Sequence, residues 1–138
     1  MDDCLFCKII RGEIPCARVF ESSGCLAFLD IAPVNEGHAL VVPKAHYPTL
    51  FDIPGDLGQE LLEAMQRVGR AVMDATSADG LNIGMNNYQA AGQLVPHAHF
   101  HLIPRFATDG LTLWPQRPYS DPDGMTRLAA SIQQLLTT

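Results

Sequence analysis

Three of the five histidines in this chain stand at alternate positions, within the segment VPHAHFHLIPR (residues 95–105). Alternate side chains of a β-strand lie on the same face, so the spacing predicts that His97, His99 and His101 converge. A single histidine in a strand is usually a packing residue, but three neighbouring imidazoles would repel one another when protonated. That repulsion favours neutral rings near pH 7, which can attack an electrophile or bind a metal.

A loop rich in Gly, Asn and Gln, GMNNYQAAGQ (residues 84–93), precedes the histidine segment. Such a loop can turn backbone N–H groups toward an anion. A nitrogen nucleophile beside an anion-binding loop indicates phosphoryl or nucleotidyl transfer. Three histidines also fit a catalytic zinc site with one open position, and the residues alone leave both chemistries open.

Cys4 and Cys7 form a second candidate site. Their Cys-x-x-Cys spacing is that of half a zinc site, and His46 and one of the alternating histidines are available as further ligands. A redox pair would need a thioredoxin-like order of elements, which this chain lacks. The remaining alternatives are a structural zinc ion or two buried thiols without a metal.

Length and composition limit the class of protein. With 138 residues, of which 47% are hydrophobic, the chain is predicted to form one domain, residues 1–138, with a sizeable core. The formal charge of −6 argues against nucleic-acid binding by bulk charge. The chain has neither a membrane-length apolar run nor a signal-peptide pattern, so we expect a cytoplasmic protein with no membrane partner.

The hydrophobic pattern predicts an α+β domain with a largely antiparallel sheet and one main helix on one face. The expected strands are ARVFES, CLAFLD, HALVVP, LNIGMN and HAHFHLIP, and a helical turn is expected in CLFCKIIRGEIP. Apolar residues at helical spacing predict the long helix, with Asp56 as its N-cap and Gly80 just past its end. These apolar residues are Leu57, Leu61, Met65, Val68, Val72 and Ala75.

A tail and a helix, residues 106–138, follow the motif-bearing part of the chain, residues 4–105. The tail is rich in Pro, Gly and Asp, and we expect it to be irregular. DPDGMTRLAASIQQLL predicts a C-terminal helix with Asp121 as N-cap and Pro122 at the first helical position. Its expected buried stripe is Leu128, Ile132, Leu135 and Leu136.

Four segments together resemble the histidine-triad (HIT) family, in its bacterial nucleotide-binding, or phosphoramidase, branch. They are FCKIIRGEIP, CLAFLDIAPVNEGHALVVPKAH, NNYQAAGQ and HFHLIPR, in the order that the family uses. The combined pattern is specific, whereas any one segment alone is weak. The resemblance implies a HIT-type fold with a five-stranded sheet, and a homodimer in which the two sheets pair about a two-fold axis.

The resemblance assigns a role to each histidine of the cluster. It implies that His99 attacks the α-phosphorus of a nucleotide to form a covalent nucleotidyl-histidine, which water then releases as a nucleoside monophosphate. His101 would lie toward the scissile bond, and the backbone carbonyl of His97 would fix the tautomer of His99. His38 would support the triad, whereas without the family it would be interpreted as a strand-edge histidine near solvent.

The resemblance also implies a purine nucleotide site. Asp30 would bind the ribose hydroxyls, although a turn residue after a strand is the simpler interpretation of an aspartate there. The base pocket would consist of Phe6, Ile9, Phe28 and Ile31, which could equally be ordinary core residues. The residues on the phosphate side would be Asn86, Gly92 and Gln93.

Two residues depart from the family pattern, and both affect the leaving group more than the nucleophile. Leu94 stands where this branch usually has Ser or Thr, and Pro96 replaces a bulky, often aromatic residue. Arg105 is interpreted as a structural or surface residue rather than a catalytic one.

The resemblance completes the possible structural zinc site as Cys4, Cys7, His46 and His97. Strand alternation places His97 on the same face as His99, so this ligand set requires the His97 ring to turn away from the phosphate. Pro96, just before it, makes such a break in the strand plausible. Catalysis is expected to need no metal.

The favoured function is therefore hydrolysis or transfer at the α-phosphate of purine nucleoside phosphoramidates or related conjugates. A dinucleoside polyphosphate hydrolase would use the same histidines with a different leaving group. A nucleotide-binding regulatory protein with little turnover is the alternative from a different class.

Overall fold

The computed structural model describes residues 2–137 and contains a five-stranded antiparallel sheet in the order β1-β2-β3-β5-β4. The strands are β1 (Arg18–Glu21), β2 (Cys25–Leu29), β3 (Ala39–Pro43), β4 (Gly80–Gly84) and β5 (Phe100–Arg105). The helices are α1 (Leu5–Ile10), α2 (Gly58–Thr76) and α3 (Gly124–Leu136). The α+β prediction and all five strands are confirmed. No helix among these residues is both long and apolar enough to cross a membrane.

The two faces of the sheet carry different helices. On one face, α2 buries Leu61, Val68 and Val72 against the sheet, as the helical spacing of its apolar residues predicts. On the other face, α1 buries three residues against β2 and β3. Because α1 is only six residues long, its position depends on this packing rather than on helix propensity. The histidine cluster lies on the α1 face.

The ends of α2 differ from the prediction. Asp56 is not the N-cap, because it belongs to a 3₁₀ turn that leads directly into the helix, and Leu57 precedes the helix without a side-chain cap. At the other end Ser77 takes the left-handed conformation with φ 55°. Ala75, in the last turn, is exposed, and Gly80 is the first residue of β4.

The predictions for α3 are wrong in two respects. The helix begins two residues later than expected, with Asp123 before it, while the Asp121 side chain accepts a hydrogen bond from the Asp123 N–H. Its apolar stripe is exposed instead of buried, and none of the helical residues is buried. Apolar periodicity predicts a helix with one apolar side but does not show what that side contacts. The residues of this stripe are Leu128, Ile132, Leu135 and Leu136.

The turn before β3 places His38 on the α1 face of the sheet. Gly37 has φ +100°, and a Cβ on it would lie 2.7 Å from Thr76 Cγ2 at the end of α2. Only glycine meets both conditions without strain. The His38 carbonyl accepts a 2.8 Å hydrogen bond from the Asp30 N–H, so β2 and β3 bring these two side chains to one end of the sheet.

Candidate active site

A pocket of about 480 Å³ lies between α1 and the sheet, and His99 and His101 form part of its wall. All four residues predicted for the base pocket line it, namely Phe6, Ile9, Phe28 and Ile31. The first three are buried, whereas Ile31 is fully exposed at the rim. The pocket therefore has an apolar floor that could receive a planar base, with the histidines to one side.

His97 does not share a face with the other two histidines. Regular strand structure begins only at Phe100, and the His97 N–H hydrogen-bonds to the Val95 carbonyl at 2.8 Å in a tight turn after Pro96. The alternation prediction is therefore wrong for His97. Its ring is fully buried, and it turns away from the pocket toward Cys4.

The tautomer of His99 follows from a backbone hydrogen bond. Nδ1 of His99 lies 2.7 Å from the carbonyl oxygen of His97. A carbonyl oxygen only accepts hydrogen bonds, so Nδ1 carries the proton and, in the neutral ring, Nε2 keeps its lone pair. Phe6 packs edge-to-face on the His99 ring with the centroids 5.0 Å apart. A single imidazole is thus presented with a nucleophilic nitrogen.

The same reasoning applies to His38 and His101. The Val34 N–H donates to His38 Nδ1 at 3.1 Å, so the proton of neutral His38 is on Nε2. That atom lies 2.9 Å from His101 Nδ1, which must accept, and the proton of His101 is therefore on its own Nε2. His38 is only 3% exposed, so its interpretation as a strand-edge histidine near solvent is wrong.

Burial keeps this histidine pair neutral. Loss of solvation lowers the pKa of His38, and the nearby Asp30 carboxylate opposes that shift. Loss of solvation also lowers the pKa of His101 to about 4, and the charges of His99 and His38 lower it further. At pH 7, His101 is therefore a hydrogen-bond donor through Nε2 and not a cation.

Asp30 both stabilises a turn and lines the pocket. Its Oδ1 accepts a 2.9 Å hydrogen bond from the Ala32 N–H, which is the turn role expected of an aspartate after a strand. Its side chain also lines the pocket, and its Oδ2 lies 3.8 Å from His38 Nε2. The carboxylate keeps acceptor capacity for hydroxyl groups.

The loop before the histidines places two of its three predicted residues at the pocket. Asn86 and Gly92 line it, and Gly92, with φ +97°, leaves room for Asn86, whose Nδ2 would lie 3.3 Å from an added Cβ. The Gln93 side chain instead donates to the Pro48 and Val95 carbonyls at 2.6 and 3.1 Å. Gln93 therefore braces the loop.

The residues that depart from the family pattern lie outside the histidine cluster. Leu94 lines the rim of the pocket and is 91% exposed. Pro96 is also exposed and does not line this pocket. Neither side chain disturbs the hydrogen bonds that orient His99 and His101.

A second cluster lies next to the pocket, where α1 begins. Ligand atoms of four residues lie within 4.8 Å of one another, and the residues are Cys4, Cys7, His46 and His97. Nδ1 of His97 is 3.5 Å from Cys4 Sγ and 3.6 Å from Cys7 Sγ. Nδ1 of His46 is 3.4 Å from Cys7 Sγ.

These distances fit a tetrahedral metal centre. Zinc–sulfur and zinc–nitrogen bonds of about 2.3 and 2.0 Å place sulfur and nitrogen ligands about 3.5 Å apart. The His97 Nε2 donates to the Pro43 carbonyl at 2.8 Å, which leaves Nδ1 unprotonated, as a ligand must be. Burial raises the pKa of the Cys7 thiol, and the adjacent Cys4 adds to that effect.

Several groups that organise the cluster could not be found from side-chain patterns. The Val34 N–H and the carbonyls of Pro43 and His97 are backbone groups, which any residue type supplies. Leu40, which stands opposite His101 on β3, looks like an ordinary core residue. The only sequence signal for the metal cluster is the Cys-x-x-Cys spacing.

Comparison with known proteins decides the family. The HIT domain model matches residues 11–108. The chain belongs to the HIT domain family. It is 38% identical to the adenosine 5'-monophosphoramidase hnt1 of Schizosaccharomyces pombe over 131 residues. This aligned region covers 94% of this chain and 95% of that protein. It is 44% identical over 110 residues to the adenylylsulfatase HINT3 of Arabidopsis thaliana, but spans only 56% of that longer protein.

Solved HIT-family structures share the fold. A Streptococcus mutans protein matches with a TM-score of 0.91 at 43% identity, over 99% of this chain and 87% of the other. A zinc-bound histidine triad family protein of Mycobacterium smegmatis matches with a TM-score of 0.76 at 37% identity, over 99% of this chain and 97% of the other. As a HIT protein, the chain belongs to a family that binds nucleotides and includes hydrolases.

The buried His101 should make stability depend on pH. Its pKa is about 4 in the folded protein against 6.5 for a free histidine, so the unfolded chain binds more protons between these values. The stabilising contribution is complete above about pH 6.5 and is lost as the pH falls toward 4. We expect wild type to lose on the order of 1 kcal/mol more than His101→Gln between pH 7 and pH 5. Urea unfolding of both proteins checks this, and equal losses would contradict it.

Proposed function

We propose that the protein cleaves nucleoside phosphoramidates at the α-phosphorus, through a covalent intermediate on His99. The observation that carries the proposal is the 2.7 Å contact between His99 Nδ1 and the His97 carbonyl, because it leaves a nucleophilic nitrogen at the wall of an apolar pocket. The relationship to an adenosine 5'-monophosphoramidase supports the choice of substrate. We propose a purine as the base and a nucleoside monophosphate as the product.

In the first step, the lone pair of His99 Nε2 attacks phosphorus, and a nitrogen–phosphorus bond forms. The bond between phosphorus and the leaving nitrogen breaks, and its electron pair stays with that nitrogen, which departs as a neutral amine when the substrate is protonated there. The Nε2–H of His101 donates to the phosphate or to the departing group. Preorganised donors of this kind stabilise charge that develops in the transition state.

In the second step, water attacks the same phosphorus and displaces His99. The nucleotidylated ring is a cation, because Nδ1 keeps its proton, which is donated to the His97 carbonyl. A neutral imidazole is released when water attacks, so the cationic ring is a good leaving group. Nε2 regains its lone pair, and the nucleoside monophosphate is released with a proton lost from the water. One difficult displacement is thereby divided into two easier ones.

The pocket would hold the nucleoside while His99 acts on its phosphate. Phe6, Ile9 and Phe28 offer apolar surface for the base, and the Asp30 carboxylate would accept hydrogen bonds from the ribose hydroxyls. Asn86 and the backbone near Gly92 would face the phosphate. These contacts would position the substrate phosphate against His99.

His99→Ala should remove most turnover while AMP binding persists. The substitution removes the covalent route but only one of many contacts to the bound nucleotide. We expect kcat for adenosine 5'-phosphoramidate to fall by well over tenfold, and calorimetry to find AMP affinity within a few-fold of wild type. A variant that keeps more than roughly a tenth of wild-type kcat, about 1.4 kcal/mol in barrier, would exclude His99 as the nucleophile.

The same assay separates this function from its alternatives. A dinucleoside polyphosphate hydrolase would show a higher kcat/KM for a diadenosine polyphosphate than for the phosphoramidate. A regulatory binding protein would bind AMP and release product from neither compound. Quenched wild-type reactions should also contain protein heavier by one nucleotidyl group, and this adduct should be absent from His99→Ala.

We also propose that Cys4, Cys7, His46 and His97 hold a structural zinc ion. When bound, zinc would supply a closed tetrahedral link with no open position for a substrate. The link would join the start of α1 to the segment after β3 and to the turn before β5. It would thereby hold α1, which forms one wall of the nucleoside pocket. The zinc-bound relative from Mycobacterium smegmatis supports this proposal.

Cys7→Ser should lower zinc content and thermal stability but spare much of the chemistry at His99. We expect about one zinc ion per wild-type chain purified without added metal, and a melting temperature lower by on the order of 5 °C in the variant. Cys16→Ser is the matched control for zinc content, because Cys16 is outside the cluster. It lines the nucleoside pocket, so activity is compared with wild type alone. Well under one zinc per wild-type chain, with Cys4 and Cys7 titrating freely as thiols, would overturn the site.

We propose further that the protein is a homodimer. β4 is an edge strand of the sheet, and Asn82, Ile83 and Gly84 are exposed along it. Such an edge offers unpaired backbone groups to a second strand. Light scattering at micromolar concentration should give twice the mass of one chain, and a monomer would contradict the proposal.

A further inference from the structure

The cysteine–histidine cluster lies beside a cavity that opens to solvent. This cavity has a volume of about 350 Å³, and Cys4 and His46 line it. Cys7 does not line it. A small uncharged molecule could therefore enter from solvent and reach Cys4. Most of the other lining residues are exposed, namely Asp3, Leu5, Pro48, Leu94 and Pro96.

The two cysteines are close enough to react with each other. Neither is in a disulfide, and their sulfur atoms lie within 4.8 Å of one another. The Cys7 N–H donates to Cys4 Sγ at 3.4 Å, so the first turn of α1 holds the two side chains together. A disulfide needs sulfur atoms about 2.05 Å apart, whereas tetrahedral zinc keeps them about 3.8 Å apart. The pair can therefore bind zinc or form a disulfide, but not both at once.

Phe6 connects this cluster to the nucleoside pocket. It stands between Cys4 and Cys7 in the chain, at the start of α1. Its ring lines the pocket and packs edge-to-face on His99 and Phe28, with centroids 5.0 and 5.6 Å apart. Drawing the two sulfur atoms together would change the turn that carries Phe6, and loss of zinc would remove a link that holds α1. A change at the cysteines would therefore reach the wall of the base pocket.

We propose that Cys4 and Cys7 are a peroxide-sensitive modification site, at which disulfide formation expels zinc and weakens nucleotide binding. The inference rests on the proposed zinc ion and on the proposed nucleoside pocket. The oxidant is a hydroperoxide, and hydrogen peroxide is small and uncharged enough to enter the cavity beside Cys4. Oxidation of a thiolate by peroxide and its capture by a second thiolate are ordinary cysteine chemistry.

In the first step, the Cys4 thiolate attacks one oxygen of hydrogen peroxide. A sulfur–oxygen bond forms, the oxygen–oxygen bond breaks, and the departing hydroxide takes a proton from solvent to become water. In the second step, the Cys7 thiolate attacks the Cys4 sulfur. The sulfur–sulfur bond forms, the sulfur–oxygen bond breaks, and a second hydroxide is protonated to water.

The two thiolates together lose two electrons, and one peroxide molecule is reduced to two molecules of water. The disulfide no longer offers anionic sulfur ligands. Only His46 and His97 would remain at the site, which are too few ligands to retain a structural zinc ion.

Three measurements on wild-type protein test the inference. Protein purified without added metal is treated with hydrogen peroxide in the presence of a chromogenic zinc indicator, and its cysteine peptides are then mapped by mass spectrometry. Calorimetry gives the Kd for AMP before oxidation, after oxidation, and after treatment with a phosphine reductant and zinc. Cys16 lines the nucleoside pocket, so the series is repeated on Cys16→Ser, and each protein is compared with its own reduced form.

We expect one Cys4–Cys7 disulfide to form for each zinc ion released. The Kd for AMP should rise roughly fivefold or more and should return to its initial value on reduction, in wild type and in Cys16→Ser alike.

Several results would overturn the modification site while leaving the proposed hydrolysis standing. They are cysteines that stay reduced under peroxide, zinc release without a Cys4–Cys7 disulfide, and unchanged AMP affinity in the disulfide form. A loss of affinity that is absent from Cys16→Ser would also overturn it, because that loss would belong to Cys16. Wild-type protein without zinc would overturn the metal site and this inference together. Reduced protein that fails to bind AMP would overturn the nucleoside pocket and, with it, the effect on binding.

Discussion

A backbone carbonyl can accept a hydrogen bond but never donate one, and the histidine cluster depends on this limit. The His97 carbonyl requires a proton on Nδ1 of His99, and the Pro43 carbonyl requires one on Nε2 of His97. The Val34 N–H donates to Nδ1 of His38, so that ring carries its proton on Nε2. This proton is donated to Nδ1 of His101, which in turn leaves the proton of His101 on Nε2. Three fixed backbone groups thus decide the tautomers of four imidazoles.

The low dielectric constant around the buried histidines keeps their rings neutral and so preserves these hydrogen bonds. Burial disfavours the charged forms of His38, His97 and His101, so protonation does not scramble the hydrogen bonds near neutral pH. Packing also fixes the orientation of two rings, because α1 brings Phe6 against His97 and His99. The position of α1 in turn depends on its contacts with the sheet and on the cysteine–histidine cluster at its start.

His97 joins the two clusters within a single residue. Its ring faces Cys4 and Cys7, and its carbonyl orients His99. Both relationships require the backbone to leave the regular strand path, as it does in the turn after Pro96. A continuous strand from residue 97 would have satisfied the side-chain pattern but would have directed the His97 ring into the nucleoside pocket.

Much of the fold could be predicted from the sequence because it follows from periodicity. The stripe through Leu61, Val68 and Val72 predicted α2, and five short apolar runs predicted the strands. Periodicity does not report contacts, and for that reason the stripe through Leu128 and Ile132 was expected in the core but is exposed.

Local turns were the other source of error. The 3₁₀ turn containing Asp56 displaced the predicted N-cap, and the late start of β5 displaced His97 from its predicted face. Within the site, residue types indicated the histidines and cysteines. The backbone partners, and the pairing of His101 with Gly84, which has no side chain, could be recognised only once the strand register was known.

His101 lies between the pocket bounded by α1 and a second pocket of about 530 Å³ bounded by β4 and the tail after β5, and this position bears on the order of events in the proposed reaction. In the proposed reaction, a displaced amine would leave on the side of His101 away from α1, while the nucleotidyl group would stay on His99 with its base held against α1. Water would then attack phosphorus from the space that the amine vacates. An amine that stays in that space would shield the intermediate from hydrolysis, and a different amine entering the same space could capture the nucleotidyl group. The balance between hydrolase and transferase would then depend on how long the second pocket remains occupied.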